Sequence, residues 1–272
     1  MASLRAIHIY DGSRAGIINY NSIIKYIQAL LPSVSIDVRE EAELLGNINN
    51  SAHVFAQCRL RDLYKGITDR SPLPVEIDYE FRRLSEGNNR TYGILYEGVL
   101  VADYLSRNIL ESEKNMAHLH IYVTNQLMGT FDDKDRRFHA RYAIFSYPSI
   151  ISTTGIVVAP ARPREYYILK QQFKNLASDE IFDTMIREKI KDRMIDYDDE
   201  RINDVMKGLI LQCVFFHETG EPFCERRDCR LFNAHWQEEL ILSQTGPESG
   251  LCPDHLEFAT KNFSQERKND TD

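Results

Sequence analysis

A chain of 272 residues, 43% hydrophobic and 27% charged, can bury a full core as one large domain or two closely packed units. A net charge of −8 argues against an electrostatic nucleic-acid binder. No apolar run reaches the ~18 residues of a membrane span, and MASLRAIHIY is not a secretory signal, so a cytoplasmic chain free of the membrane is expected.

In chain order, LRAIHIYD (4–11) reads as a β-strand. INYNSIIKYIQALL (18–31) has helical spacing at Ile23, Ile27, Leu30 and Leu31, and Pro32 ends it. VSIDVRE (34–40), TYGILYEG (91–98) and HLHIYVTN (118–125) read as further strands, with a helix over 99–110. This β-α rhythm predicts a largely parallel sheet covered by helices.

Beyond residue 125, ARYAIFSYPSIISTTGIVVAP (140–160) reads as two β-rich pieces broken at Tyr147-Pro148, in edge or antiparallel positions. From PREYYILKQQF onward the chain turns helical, with Arg187, Lys189 and Lys191 on a polar face. The stretch 200–218 is the most apolar helix: Ile202, Val205, Met206, Leu209, Cys213, Phe216 and His217 recur at core spacing, and Gly220 is its stop. FNAHWQEEL reads as a helix with Asn233 as its N-cap. The division expected is an α/β domain over 1–220, a C-terminal lobe over 221–259 and a polar, frayed tail over 260–272.

Cys58 stands alone, whereas Cys213, Cys224, Cys229 and Cys252 crowd into forty residues, which in a reducing compartment points to metal rather than disulfides. Cys224-x4-Cys229 and Cys252-x2-His255 form two short-spaced ligand pairs, and each can bend around one tetrahedral zinc. A Cys3His set leaves no open position for water, so this zinc is expected to be structural. The turn GPESG (246–250) and Pro253 suit a tight knuckle before the second pair.

With that knot in place, CVFFHETGEPFCERRDC (213–229) resembles the archaemetzincins of the metzincin clan, whose signature is HExxHxxGxxHC followed by x4-C. On that pattern Cys213 stands at the first His, Val214 at the general-base Glu, His217 at the second His, Gly220 at the turn glycine and Phe223 at the third His. Cys224 and Cys229 match its structural-zinc cysteines, Leu231 replaces the Met-turn methionine, and CPDH replaces a CxxC. Through PSIISTTGIV and CRLFNAHWQEE the chain also resembles an archaeal family of uncharacterised proteins labelled metallopeptidases. The resemblance implies a metzincin-like α/β fold: a mixed, mostly parallel sheet with covering helices and a small zinc-stapled C-terminal lobe.

A catalytic zinc needs three protein ligands, an open position and a carboxylate base. With one histidine of three and valine at the base, proteolysis is not expected; the chain reads as a pseudoenzyme that binds a peptide or protein at its edge-strand cleft. The other reading is an active zinc hydrolase rebuilt around Cys213 and His217, which lie at i and i+4 on one helix face, with His235 or His139 as third ligand. Arg136, Arg137, His139, Arg141, Arg162 and Arg164 beside the edge strand could read carboxylate or phosphate, or simply form charged loops flanking a core strand. The sequence leaves the oligomeric state open.

Overall fold

The computed structural model describes residues 4–65, 71–86, 93–173 and 189–264. Of the stretches read above, Thr91, Tyr92, Arg187 and residues 265–272 lie outside them.

Strand β1 (Ala6–Gly12) sends Ile7 and Ile9 to one face and His8 and Tyr10 to the other, by the two-residue period of a strand. Helix α1 (Tyr20–Leu30) follows; the Asn19 side chain accepts the Ser22 N–H to open it, and Ile23 and Ile27 are buried. Strand β2 (Ser35–Glu40) then pairs parallel to β1. Helices α2 (Glu41–Leu45), α3 (Ile48–Gln57) and α4 (Pro74–Glu86) precede a short strand β3 (Leu95–Glu97) and helix α5 (Gly98–Ser106).

Strand β4 (His118–Thr124) lies parallel to β1 on the side away from β2. Strands β5 (Leu127–Asp132), β6 (Arg137–Arg141), β7 (Ala143–Ile144) and β8 (Ser149–Ser152) follow. The main sheet has the order β2-β1-β4-β8-β7, parallel except for the antiparallel edge strand β7. The largely parallel sheet read from the β-α rhythm is present, with one correction. The Leu95–Glu97 strand belongs to a second sheet, β3-β5-β6, because its backbone pairs with Leu127–Gly129 instead of with β4.

A second correction concerns 153–158, read as strand on its β-branched residues. It is helix α6 (Thr153–Val158), opened by the Ser152 hydroxyl accepting the Gly155 N–H. A Cβ at Gly155 would overlap the Arg141 carbonyl oxygen and stand 2.8 Å from Tyr142 Cα, so this turn presses directly on the backbone where β6 passes into β7.

Helix α7 (Arg164–Phe173) leads toward α8 (Ile202–Thr219), which is buried on nearly every side as far as Phe215 and ends at Gly220 with φ +80°. Helices α9 (Gln237–Thr245) and α10 (Pro253–Phe263) complete the chain. Asn233 is not the cap of α9. That helix begins after Trp236, where the Glu239 carboxylate accepts the N–H groups of His235 and Trp236. Helix α10 also continues past residue 260, into the stretch read as a frayed tail, because Phe263 is fully buried and its carbonyl accepts the Ser33 N–H.

Two cores result. One joins Ile7, Ile9, Leu119 and Ile121 to α1, α8 and α10. The other, on the opposite sheet face, joins Tyr10 and Tyr122 to Leu44, Phe55, Val101 and Leu105. Among the described residues, no helix is long and apolar enough to cross a membrane.

Candidate metal centre

The two ligand pairs at the C-terminus meet. One donor atom from each of Cys224, Cys229, Cys252 and His255 lies within 4.8 Å of every other. Local backbone bonds fold them together: Cys224 N–H donates to the Leu231 carbonyl, Cys229 N–H to Arg226, and Arg230 N–H to Gly250. The Arg226 N–H points at Cys224 Sγ, 3.4 Å away. Cys252 is the N-cap of α10 and Pro253 takes its first turn, which sets His255 one turn along. The Phe215 ring meets the imidazole edge-on at 5.0 Å and fixes its tilt.

Buried glutamines lock this knuckle to the core. Gln212 on α8 donates to the carbonyls of Arg230 and Phe232, and Gln244 on α9 donates to Arg230.

The separations suit one zinc ion. Tetrahedral ligands at Zn–S ≈ 2.3 Å and Zn–N ≈ 2.0–2.1 Å stand about 3.8 Å (S to S) and about 3.6 Å (S to N) apart. Cys224 Sγ to Cys252 Sγ is 4.0 Å, and Cys229 Sγ to His255 Nδ1 is 3.9 Å. Cys252 Sγ to His255 Nδ1 is tighter at 2.9 Å. Burial, with two neighbouring thiols beside it, pushes the Cys229 thiol up to about 12. A cation is the partner that such a set lacks in order to ionise.

The positions that carry the chemistry in the metzincin pattern do not assemble in this way. Cys213 is fully buried on α8 and its thiol is pushed up to about 12 by burial. Val214 is equally buried. His217 Nε2 lies 2.9 Å from the Met116 carbonyl. Phe223 packs edge-on against Phe145, with ring centroids 5.4 Å apart. Among the described residues, neither Cys213 nor His217 joins a group of three potential ligands, and His139 and His235 supply no third one.

A cleft of about 430 Å³ runs along edge strand β7. Arg141 to Phe145 form one wall, and Phe223 with Asn233, Ala234 and His235 the other. The Tyr142 hydroxyl donates across to the Ala234 carbonyl. Of the arginine-rich block, Arg141 lines this cleft, and its Nε donates to the Thr130 hydroxyl.

A further donor cluster was not anticipated from the sequence. His8 on β1 and His120 on β4 are paired neighbours in the ladder, and Glu113 reaches them from the turn before β4. Their ligand atoms also lie within 4.8 Å of one another. Arg39 grips Glu113 with two 2.8 Å bonds, which hold that carboxyl down at about 2. Burial holds His120 down at about 4 and lowers His118 as well. The signal was legible in principle: His118 and His120 alternate with Leu119 and Ile121, so two histidines share one face of an otherwise apolar strand.

Comparison with known proteins adds the following. A family described as a probable metallopeptidase family (DUF6775) matches residues 3–262. No curated protein matches the chain. Among solved structures, the chain is similar to a zinc-dependent peptidase from Methanocorpusculum labreanum (strain Z), at 12% identity and a TM-score of 0.43, over 93% of this chain and 98% of that one.

Proposed function

The chain belongs to this probable metallopeptidase family, whose name implies a metal, and from that premise we propose a zinc-stabilised, non-proteolytic member that binds extended peptides. In this reading Cys224, Cys229, Cys252 and His255 hold one structural zinc. Its ligand set is closed, so the ion ties the C-terminal elements to α8 and activates no water.

The observation that carries the proposal is the contrast between two places on one segment. Four nitrogen and sulfur donors converge after α8, while along and just beyond α8 a buried thiol, a valine and a phenylalanine stand where ligands and base belong. Without a carboxylate at Val214, no group there takes the proton from a metal-bound water.

The cleft beneath β7 is the proposed binding site for a peptide or a protein segment. Edge strand β7 is paired on one side by β8, and Ala143 and Ile144 line the cleft, which favours an extended peptide adding there as a further strand. Apolar contact would come from Phe145 and Phe223 and polar contact from Arg141 and Asn233.

The test is incubation of the zinc-loaded chain with a mixed-sequence peptide library, followed by mass spectrometry and amide NMR. Shifts at residues 141–145 and 233–235 with the peptides left intact are expected. Cleavage that disappears in His217→Ala would overturn the proposal in favour of a hydrolase rebuilt around Cys213 and His217.

A further inference from the structure

We propose that His8, His120 and Glu113 form a second metal site, open and exchangeable, for a divalent ion that favours imidazole, such as Zn2+, Co2+ or Ni2+. It is independent of the cysteine knot and lies on the other face of the main sheet. Ile7, Ile9, Leu119 and Ile121 face the core that contains Cys229 and Cys252. His8 and His120, at the alternate positions, face away from it.

The surroundings of these three side chains are those that orient metal ligands. The Asp37 carboxylate lies 2.9 and 3.0 Å from His8 Nδ1, so that nitrogen donates to it and Nε2 is left with a lone pair. Tyr10 Oη stands 3.0 Å from His120 Nδ1 and accepts a bond from Arg39. Arg39 also fixes the Glu113 carboxylate, whose Oε1 stands 3.9 Å from His8 Nε2. Each of the three ligands therefore has a partner holding its far side, the pattern seen around metal-bound histidines and carboxylates.

Two contacts would change on binding. His8 Nε2 accepts a proton shared with His118 Nδ1 at 2.9 Å, and His120 Nε2 faces the Glu113 carbonyl at 3.3 Å. The ion takes the place of the first bond. For the second, His120 moves its proton to Nδ1, with Tyr10 Oη as acceptor, so that Nε2 can coordinate.

Two nitrogens and one carboxylate oxygen suit zinc, cobalt and nickel better than calcium or magnesium. Three protein ligands leave a position for water, unlike the closed knot. Arg39 offsets part of the negative charge of Asp37 and Glu113, so affinity falls below that of a three-thiolate site, and the ion exchanges.

The test is cobalt titration of the untagged, reduced chain already holding one equivalent of zinc. Wild type should take up a second equivalent, with visible d–d bands and no thiolate-to-cobalt charge transfer, and with paramagnetic broadening of the His8 and His120 ring resonances. Glu113→Gln acts at a partly exposed position and spares the buried rings; it should weaken that second binding at least 10-fold, as should Asp37→Asn. His8→Ala should abolish it while leaving the first equivalent in place, and circular dichroism checks its fold. No second equivalent in folded wild type, or one indifferent to both Glu113→Gln and His8→Ala, would overturn the proposal. Cys224→Ala, which lowers the first equivalent and not the second, separates failure of this site from failure of the knot.

Discussion

Removing zinc from the Cys224–Cys229–Cys252–His255 set should loosen the C-terminal elements by a measurable and bounded amount. Cys229 is fully buried and Cys252 nearly so, and both belong to the core formed with α8. The knot thus joins the 224–232 loop to α10, whose Ala259 and Phe263 are fully buried in the same core. An ion that binds the folded chain alone stabilises it by RT ln(1 + [L]/Kd), about 4 kcal/mol when free zinc stands at ~1,000 Kd. A chain of this size moves its Tm by roughly 2–4 °C per kcal/mol, so chelation should lower Tm by about 8–16 °C. Cys224→Ala is the cleanest genetic equivalent, since Cys224 is the half-buried thiol and its loss leaves the smallest cavity. The assay is thermal unfolding with and without a zinc chelator under reducing conditions, paired with hydrogen exchange. Protection should fall over 224–232 and 250–263 and persist in β1 and β4. If the chelator strips zinc while Tm and protection at 224–263 stay unchanged, the reasoning fails.

Three further outcomes follow from single contacts. His217→Ala loses its contact with the Met116 carbonyl and should cost about 0.5–1.5 kcal/mol in urea unfolding, with metal content by mass spectrometry unchanged. Gly155→Ala forces a methyl into the Arg141–Tyr142 backbone and should cost about 1–3 kcal/mol, with amide shifts along 140–145 marking displacement of the cleft wall. Burial raises the Asp199 carboxyl, but the bonds from Arg201 outweigh it and hold it below its ordinary 3.8. Its stabilising effect is therefore present above 3.8 and is lost as pH falls further. Urea midpoints of wild type and Asp199→Asn should differ near about pH 5, and the difference should shrink as pH falls below 3.8.

The convergence of Cys224, Cys229, Cys252 and His255 is legible because each pair is local: four and two residues lie within the pairs, a turn closing the first and the start of α10 the second. The core helix was legible for the same reason, since its periodicity and terminal glycine are short-range signals. The second donor cluster is legible only in part: His118 and His120 alternate along one strand, but the β1–β4 register brings in His8, and nothing near His8 announces His120. Residues 153–158 show the reverse failure. Their β-branched composition reads as strand, yet the Ser152 cap and the close fit of Gly155 against the backbone between β6 and β7 decide for helix. The Leu95–Glu97 strand was recognised but misassigned to the main sheet, because three residues carry too little pattern to choose between partners.

X-ray absorption at the zinc edge, on the chain loaded with one equivalent, reads the ligands of the tightly held ion. Three sulfurs at about 2.3 Å and one nitrogen at about 2.0–2.1 Å are expected around the ion. A shell of nitrogen and oxygen without sulfur would contradict that set, because the tightly held ion would then lie away from the cysteine knot.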